Sequence, residues 1–315
     1  MEINYIILAH KTPLQVLRLI DRLDSPKSNF YIHIDKGSDI TPFLNILIKN
    51  NIHFCEDNNR EYGTWGDIGI VKATIYTLKK IINDGRHGYC VLLSGQDYPL
   101  QSNSRISSFF ESNYGTCFME TFSIPFKDWA NNGGLDRLNQ YKINLSNKKQ
   151  DFIQLHSVFN RGFYKRQSFG KINKLLKTKR YSDLTKILLT RQPPIPIKPF
   201  GGSQWWALPI EVISLILNFI DANPEYISYH ENTLLPDEIF FQSILGHLKQ
   251  TNNLVIRPNA TYINWKRKNT PLPVTFTEND FFELKNVSKK KLFARKFDID
   301  IDHKILDKID LELLQ

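Results

Sequence analysis

The sequence predicts an α/β fold built on a Rossmann-like, mostly parallel central sheet flanked by helices. Apolar runs of strand length alternate with amphipathic runs of helix length through the first 120 residues, and repeated strand-helix units of this size imply parallel strands with helices on both faces. The chain has 315 residues, of which 41% are apolar, enough to fill a sizeable core.

The elements follow in order. INYIILA (3–9) reads as a strand. TPLQVLRLIDRL then predicts a helix with Thr12 as N-cap, Pro13 at the first helical position, Gln15 completing a capping box, and Val16, Leu19, Ile20 and Leu23 on one face. NFYIHID (29–35) alternates as a strand, TPFLNILIKN repeats the Thr-Pro helix entry, and IHFC is a short strand. After YGTWGD, Ile68, Val71, Ile75, Leu78 and Ile82 keep helical spacing. YCVLLS is the next strand, SRISSFFES a helix and GTCFME a strand. Residues 121–200 are less regular, with NLSNKKQ, KINKLLKTKRYSD and RQPPIPIKPF, and read as helical pieces joined by loops along one wall of a cleft. GGSQWWALP leads into a helix through EVISLILNFIDA, and LLPDEIFFQSILGHL starts another with Pro236 in its first turn. A basic tail after residue 264 ends in the helical DHKILDKIDLELL, and no internal repeat or linker interrupts the chain.

Composition narrows the function classes. Cys55, Cys90 and Cys117 each lie in a short apolar run, and three cannot pair completely; buried free thiols in a reducing compartment are expected. MEINYIILAHK has too few consecutive apolar residues for a signal peptide or a membrane span, so the expectation is a cytoplasmic protein, with peripheral attachment to a membrane as the closest association. Lys and Arg outnumber Asp and Glu by nine, which attracts anions such as nucleotides, nucleic acid or acidic headgroups. The absence of a zinc finger, an RRM-type aromatic motif or a basic heptad region weighs against nucleic acid.

In a parallel sheet the ligand crevice lies beyond the carboxyl ends of the strands. His10-Lys11, Asp35-Lys36 and Gln96-Asp97 fall there. In LLSGQDYPLQS, Gly95 is expected to permit a turn, Pro99 to end the strand, and Asp97 to stand at the crevice rim, with a plain turn cap an equal reading. With Pro236 at the first helical position, Asp237 and Glu238 are expected in the first helical turn, where unpaired amides favour ionised carboxylates. A charged Glu238 can act as a general base, although first-turn acids are also common for stability alone. In GGSQWW the adjacent indoles point to opposite faces, one into the core and one toward a ligand. NWKRKN (264–269) and KLFARKFD (291–298) set cations beside aromatics and read as either diphosphate ligands or solvated basic faces. FDIDID (297–302) has the Asp-x-Asp spacing by which many sugar-nucleotide enzymes hold a divalent cation, but it lies past every strand of the nucleotide half and is assigned no metal.

Taken in order, YIILAHK, FYIHIDKGS, YGTWGDIGIVKA, LLSGQDYPLQS, FMET, GGSQWWALP, LLPDEIFFQSIL, INWKRKN and LFARKFDIDID resemble glycosyltransferase family 14, the core-2/I-branching β1,6-N-acetylglucosaminyltransferases and peptide O-xylosyltransferases. The likeness covers nearly the whole chain and is poor only through 121–200. It implies a GT-A variant forming a single domain over 1–315, with a nucleotide-sugar-binding half at 1–120 and an acceptor-binding and catalytic half at 121–315. It also implies inverting transfer from a UDP-sugar to a hydroxyl of a glycan or glycolipid acceptor, with N-acetylglucosamine favoured over xylose and no divalent metal or other cofactor.

Residue by residue, Glu238 resembles the base of the branching enzymes and Asp97 an acid proposed to act in the xylosyltransferases, so the two compete for one role. Asp35 is similar to a uridine contact, and His10, Lys36 and Trp65 join it on the donor side. Arg267 or Lys268, together with Lys296, resemble the cations that replace a metal on the departing diphosphate. Glu120 is similar to an acceptor-hydroxyl ligand, and Ser203, Trp205 and Trp206 fall beside the acceptor and sugar. The implied setting is assembly of a surface polysaccharide or glycolipid at the inner face of a membrane; a non-catalytic nucleotide- or glycan-binding relative is the alternative.

Overall fold

In the computed structural model, which describes residues 1–146, 148 and 150–315, the expected strands are β1 (Ile3–Ala9), β2 (Ser28–Ile34), β3 (Ile52–Phe54), β4 (Tyr89–Ser94) and β5 (Thr116–Met119). With β6 (Trp206–Pro209) and β7 (Val255–Arg257) they form one sheet ordered β7-β5-β6-β4-β1-β2-β3. Strands β3, β2, β1 and β4 are parallel, as are β7 and β5, while β6 is antiparallel to both its neighbours. Alternation along β1 supplies both faces. Ile3, Tyr5 and Ile7 join a core with Val16, Leu19, Phe110 and Ile305, whereas Ile6 joins the opposite core with Val71, Ile75, Ile213 and Ile244. The mostly parallel sheet between helical layers is thus as the periodicity predicts.

Local signals fare less well where distant chain intervenes. Helix Pro13–Leu23 forms, but Thr12 is left-handed (φ 55°) and its side chain caps nothing, so the expected capping box is absent. Gln15 is buried instead. Its amide donates to the carbonyls of Gly95 and Phe297, both at 3.0 Å, and its side-chain oxygen accepts the Ile299 amide at 2.9 Å. A side chain committed to those three groups cannot reach back to its own N-cap. Gly95 does not supply a positive φ either; a Cβ there would lie 2.9 Å from Val16 Cγ2 and 3.1 Å from Ala9 Cβ. Close crossing of the helix over the end of β4, not turn chemistry, calls for glycine.

Asp97–Pro99 is a strand of a separate small sheet, antiparallel to Phe293–Arg295, which in turn runs parallel to Thr261–Ile263. The C-terminal segment therefore folds back over the carboxyl edge of the main sheet, where the Phe297 amide donates to the Gln96 carbonyl at 2.8 Å. Residues 121–200 are more ordered than expected, with a hairpin of Gln140–Asn144 and Phe152–His156 and a helix Arg166–Lys177 around a small core of Tyr141, Ile153, Leu155, Phe163 and Leu175. In NLSNKKQ, Asn147 and Lys149 lie outside the described residues. Cys55, Cys90 and Cys117 are buried and free, and among the described residues no helix is long and apolar enough to cross a membrane.

Gln15 ties the first helix to the end of β4 and to the C-terminal segment, so Gln15→Ala is expected to leave buried groups unpaired and to lower unfolding free energy by about 3 kcal/mol. Urea titration measures this; a loss under about 1 kcal/mol would show the three bonds to be dispensable.

Candidate active site

His10, Asp35 and Lys36 lie together at the carboxyl edge of β1 and β2. The Asp35 amide donates to the Ala9 carbonyl at 2.8 Å, and the Ser38 hydroxyl to the His10 carbonyl at 2.7 Å, fastening the two strand ends together. The Asp35 carboxylate accepts the Gly37 amide at 2.8 Å and the Gly63 amide on its other oxygen. A Cβ at Gly63 would lie 2.7 Å from that oxygen, so the loop approaches as glycine or not at all. Lys36 reaches over the Tyr62 ring at 5.8 Å, and Trp65 packs near Phe152 with ring centroids 6.1 Å apart. His10 is exposed at this edge. Partial loss of water around its ring, then Lys11 and Lys296, lower its pKa against the pull of Asp35 and Asp298. Those four charged groups thus share one neighbourhood with His10.

Three residues that sequence reasoning missed hold this edge. Buried Arg60 donates to the carbonyls of Ile34 (3.0 Å), Asp35 (2.8 Å) and Ser38 (2.6 Å), strapping the loop after β2. His33 accepts the Glu61 amide on Nε2 at 2.9 Å; burial pushes its pKa down to about 4, so the ring stays neutral and keeps that lone pair. Lys142, with a side chain 1% exposed, pairs with Asp67 and donates to Asn144 at 2.7 Å. Their partners are too distant in sequence to be read from spacing, so even where the strand was legible, as at His33, the role of the side chain was not. Tyr62, Thr64, Asp67 and Lys142 also line a polar cavity of about 500 Å³.

Glu238 approaches from the other side. Pro236–Glu238 is a separate 3₁₀ turn and the helix begins only at Phe240, so Glu238 does not sit in the first turn of that helix. Tertiary contacts capture the turn: the Gly202 amide donates to the Glu238 carbonyl at 2.9 Å, the Leu235 amide to Gly66, and Gln242 to the carbonyls of Ser203 (2.9 Å) and Asp237 (3.2 Å). Gly202 must be glycine, because a Cβ would meet the Glu120 carbonyl at 1.8 Å. The charge of Glu238 is balanced by Arg137, whose guanidinium lies 2.6 Å from the carboxylate and stacks 3.8 Å over Trp129. Glu238 keeps 26% of its side chain accessible. Arg137 falls in the irregular region and was not anticipated.

Asp97 does not reach the rim; it is fully buried. One oxygen accepts the Ser94 hydroxyl at 2.9 Å and lies 3.4 Å from Arg295, while the other accepts the Ser94 amide at 3.0 Å. Burial pushes Asp97 up and Arg295 down, more than their mutual attraction opposes. Arg295 stacks 3.9 Å over Trp205. Trp205 and Trp206 are both buried, so neither indole presents an open face to a ligand as expected; Trp206 packs against Phe241. Both indoles belong to the core that holds Ile213 and Ile244.

The remaining calls divide. Glu120 is exposed at the end of β5, with Lys291 in its field. Ser203 is half-buried beside it in the Gly202 loop. Arg267 is engaged by Asp280 at 2.6 Å and Glu283 at 3.1 Å, while Lys268 is exposed and makes no ion pair among the described residues. In FDIDID, Asp298 pairs with Lys11 and Asp302 accepts the Glu278 amide at 2.8 Å. These carboxylates are occupied as structural ties.

Residues 3–287 match the family described as Core-2/I-Branching enzyme. Among curated proteins the chain is similar to xylosyltransferase 2 of Rattus norvegicus (23% identical over 337 residues) and of Homo sapiens (22% over 337 residues), in each case over 99% of this chain and 34% of the relative. It is also similar to xylosyltransferase 1 of Canis lupus familiaris, 20% identical over 99% of this chain and 31% of that one. The chain spans about a third of the length of these relatives.

Asp237, beside Glu238, gives the site a measurable signature. Burial, and then the Glu238 charge, push its pKa from the ordinary carboxylate range up to about 7. The folded state then holds this proton more tightly than the unfolded chain, so the contribution to stability is full below pH 4 and lost as pH rises toward 7. Asp237→Asn is expected to remove that decline, gaining on the wild type by about 1 kcal/mol or more between pH 5 and 7.5 in urea unfolding. A difference constant with pH would place the carboxyl outside this linkage.

Proposed function

The chain belongs to the core-2/I-branching enzyme family of glycosyltransferases, and from that premise we propose that it is an inverting transferase that moves a sugar from a UDP-sugar to an acceptor hydroxyl without a divalent metal. The observation that carries this reading is the placement of two clusters at one sheet edge. His10, Asp35, Lys36 and Lys296 gather beyond β1 and β2, and Glu238 is held at the loop that leads into β6. Strand β6 is antiparallel, so its start and the ends of the parallel strands meet on the same side.

In the proposed reaction Glu238, held in place by Arg137, takes the proton of the acceptor hydroxyl. The new C–O bond forms on the face opposite the nucleotide while the bond from the anomeric carbon to the phosphate oxygen breaks, and the electron pair leaves with UDP. Lys296 and Lys268, with Arg267 as the alternative to Lys268, meet the charge that builds on the diphosphate. Glu238 is favoured over Asp97 as base because it retains access to solvent, whereas Asp97 has both oxygens bound and no exposed surface. Asp35, His10 and Trp65 are assigned to the nucleoside and donor, and Glu120 and Ser203 to the acceptor. The relatives named xylosyltransferases bring UDP-xylose level with UDP-N-acetylglucosamine as donor. The acceptor is proposed to be a glycan or glycolipid, in assembly of a surface polymer or lipid on the cytoplasmic side of a membrane.

UDP release from a panel of UDP-sugars, with and without EDTA, tests the proposal. Release from one donor, indifferent to EDTA, is expected. Glu238→Gln should lower it at least about a hundredfold with UDP affinity unchanged, and Lys296→Ala about a hundredfold. Loss of release with EDTA overturns the metal-free mechanism; normal turnover in Glu238→Gln with loss in Asp97→Asn reverses the base. UDP binding without release in the presence of glycan acceptors leaves the non-catalytic relative.

A further inference from the structure

The positive charge of this chain is concentrated in one tenth of its length. Residues 161–191 contain ten Lys or Arg and one acid, Asp183, a net of +9, which is the net charge of the whole chain; the rest is balanced, 31 basic against 31 acidic. The same stretch, together with Phe159 just before it, turns apolar side chains to water. Phe159, Tyr164, Phe169, Leu176, Leu188 and Leu189 are each 46% to 71% exposed. Isolated exposed apolar residues are ordinary, but a cluster interleaved with cations is not.

Helix Arg166–Lys177 organises the stretch. Ser168 and Leu175 are buried and Ile172 packs against the small core beneath. The opposite face carries Arg166, Phe169, Asn173, Leu176 and Lys177 at helical spacing, all exposed. The Val158 amide donates to the Ile187 carbonyl at 2.9 Å, which sets Phe159 and Leu188 at neighbouring positions. Some cations serve the fold: Lys171 donates to the Gln154 carbonyl, Arg180 and Lys186 pair with Asp183, and Arg191 lies between the Tyr141 and Tyr229 rings. Arg161, Lys165, Arg166, Lys177 and Lys179 are exposed and make no ion pair among the described residues.

We infer that the face built on residues 159–191 docks the protein on an anionic lipid surface. Its exposed cations meet the headgroups, and Phe169 and Leu176 enter the boundary with the acyl chains. Cations and large apolar side chains on one outward helix face are the pattern of an interfacial helix, and cations near an anionic leaflet each contribute about fivefold in binding. A nucleic acid would use the cations and the aromatic rings, but the exposed leucines have no place in base stacking and gain by leaving water at a membrane. The docking concerns the proposed membrane-side setting of the enzyme, and its readout is binding alone, so it stands or falls separately from sugar transfer.

Sedimentation of the full chain with vesicles of phosphatidylcholine, alone or mixed with phosphatidylglycerol, tests this over a salt series. The protein is expected to pellet with the anionic vesicles, not with the neutral ones, and to be released as salt rises. Arg166→Gln combined with Lys177→Gln should weaken partition about twenty-fivefold, and Phe169→Ser should weaken it at fixed salt. Unchanged thermal unfolding shows that both variants are folded. Equal binding to both vesicle types, no binding, or indifference to the double substitution would overturn the inference. Tighter binding to an oligonucleotide than to anionic vesicles, lost with the same substitutions, would assign the face to nucleic acid instead.

Discussion

The buried contact between Asp97 and Arg295 joins the first half of the chain to its last strand, Phe293–Arg295. Both charges have left water, and each is pushed toward its neutral form by burial. The 3.4 Å contact has no hydrogen-bond geometry on the Arg295 Nη1 side. A pair of this kind adds little net stability, yet losing one partner strands the other charge in a dry site at about 3–5 kcal/mol. It therefore acts as a constraint on which strand lies beside Asp97–Pro99. With the Phe293–Arg295 strand fixed in that register, Lys296 follows one residue later beside Gln96 and the His10 edge.

The opposing carboxylate obeys a different logic. No helix dipole faces it, since the turn Pro236–Glu238 ends before the helix starts. A guanidinium stacked on Trp129 pairs with it instead, and Trp129 has room only because positions 134 and 201 are glycine, where a Cβ would come within 2.4 Å and 2.6 Å of the indole. Placement of Glu238 thus depends on three separate stretches of chain: the Gly133-Gly134 bend, the Gly201-Gly202 loop, and the turn itself.

What was legible follows from range. The strands β1, β2 and β4 and the helix after YGTWGD obey local periodicity, because their apolar faces meet whichever helix layer covers the sheet. The convergence of His10, Asp35 and Lys36 was legible from the rule that parallel strands end on one side. The failures share a cause. Gln15, Gly95, Asp97 and Trp205 all have a local reading that a partner more than 60 residues away overrides, namely Phe297, Val16, Arg295 and again Arg295. Arg137 and Arg60 had no local reading at all. The PDE turn is legible as a motif, but the helix dipole expected to act on it is not there, because the helix starts two residues later.

The bonds from Gln15 to Phe297 and Ile299 close loops of more than 280 residues. Contacts of that separation give nothing back until nearly all of the chain is available, and such closures are made late. During synthesis the parallel strands around β1 can pair long before residues 293–299 leave the ribosome, and domains acquire structure from the N-terminus onward. The nascent protein would then pass through a stage with a formed sheet and an open crevice edge, lacking Lys296 and the cover over Asp97. Completion of this edge is in that sense a checkpoint on finished translation: a chain cut short before residue 293 keeps His10, Asp35 and Lys36 and most of its strands, but lacks Lys296 and the strand that covers Asp97.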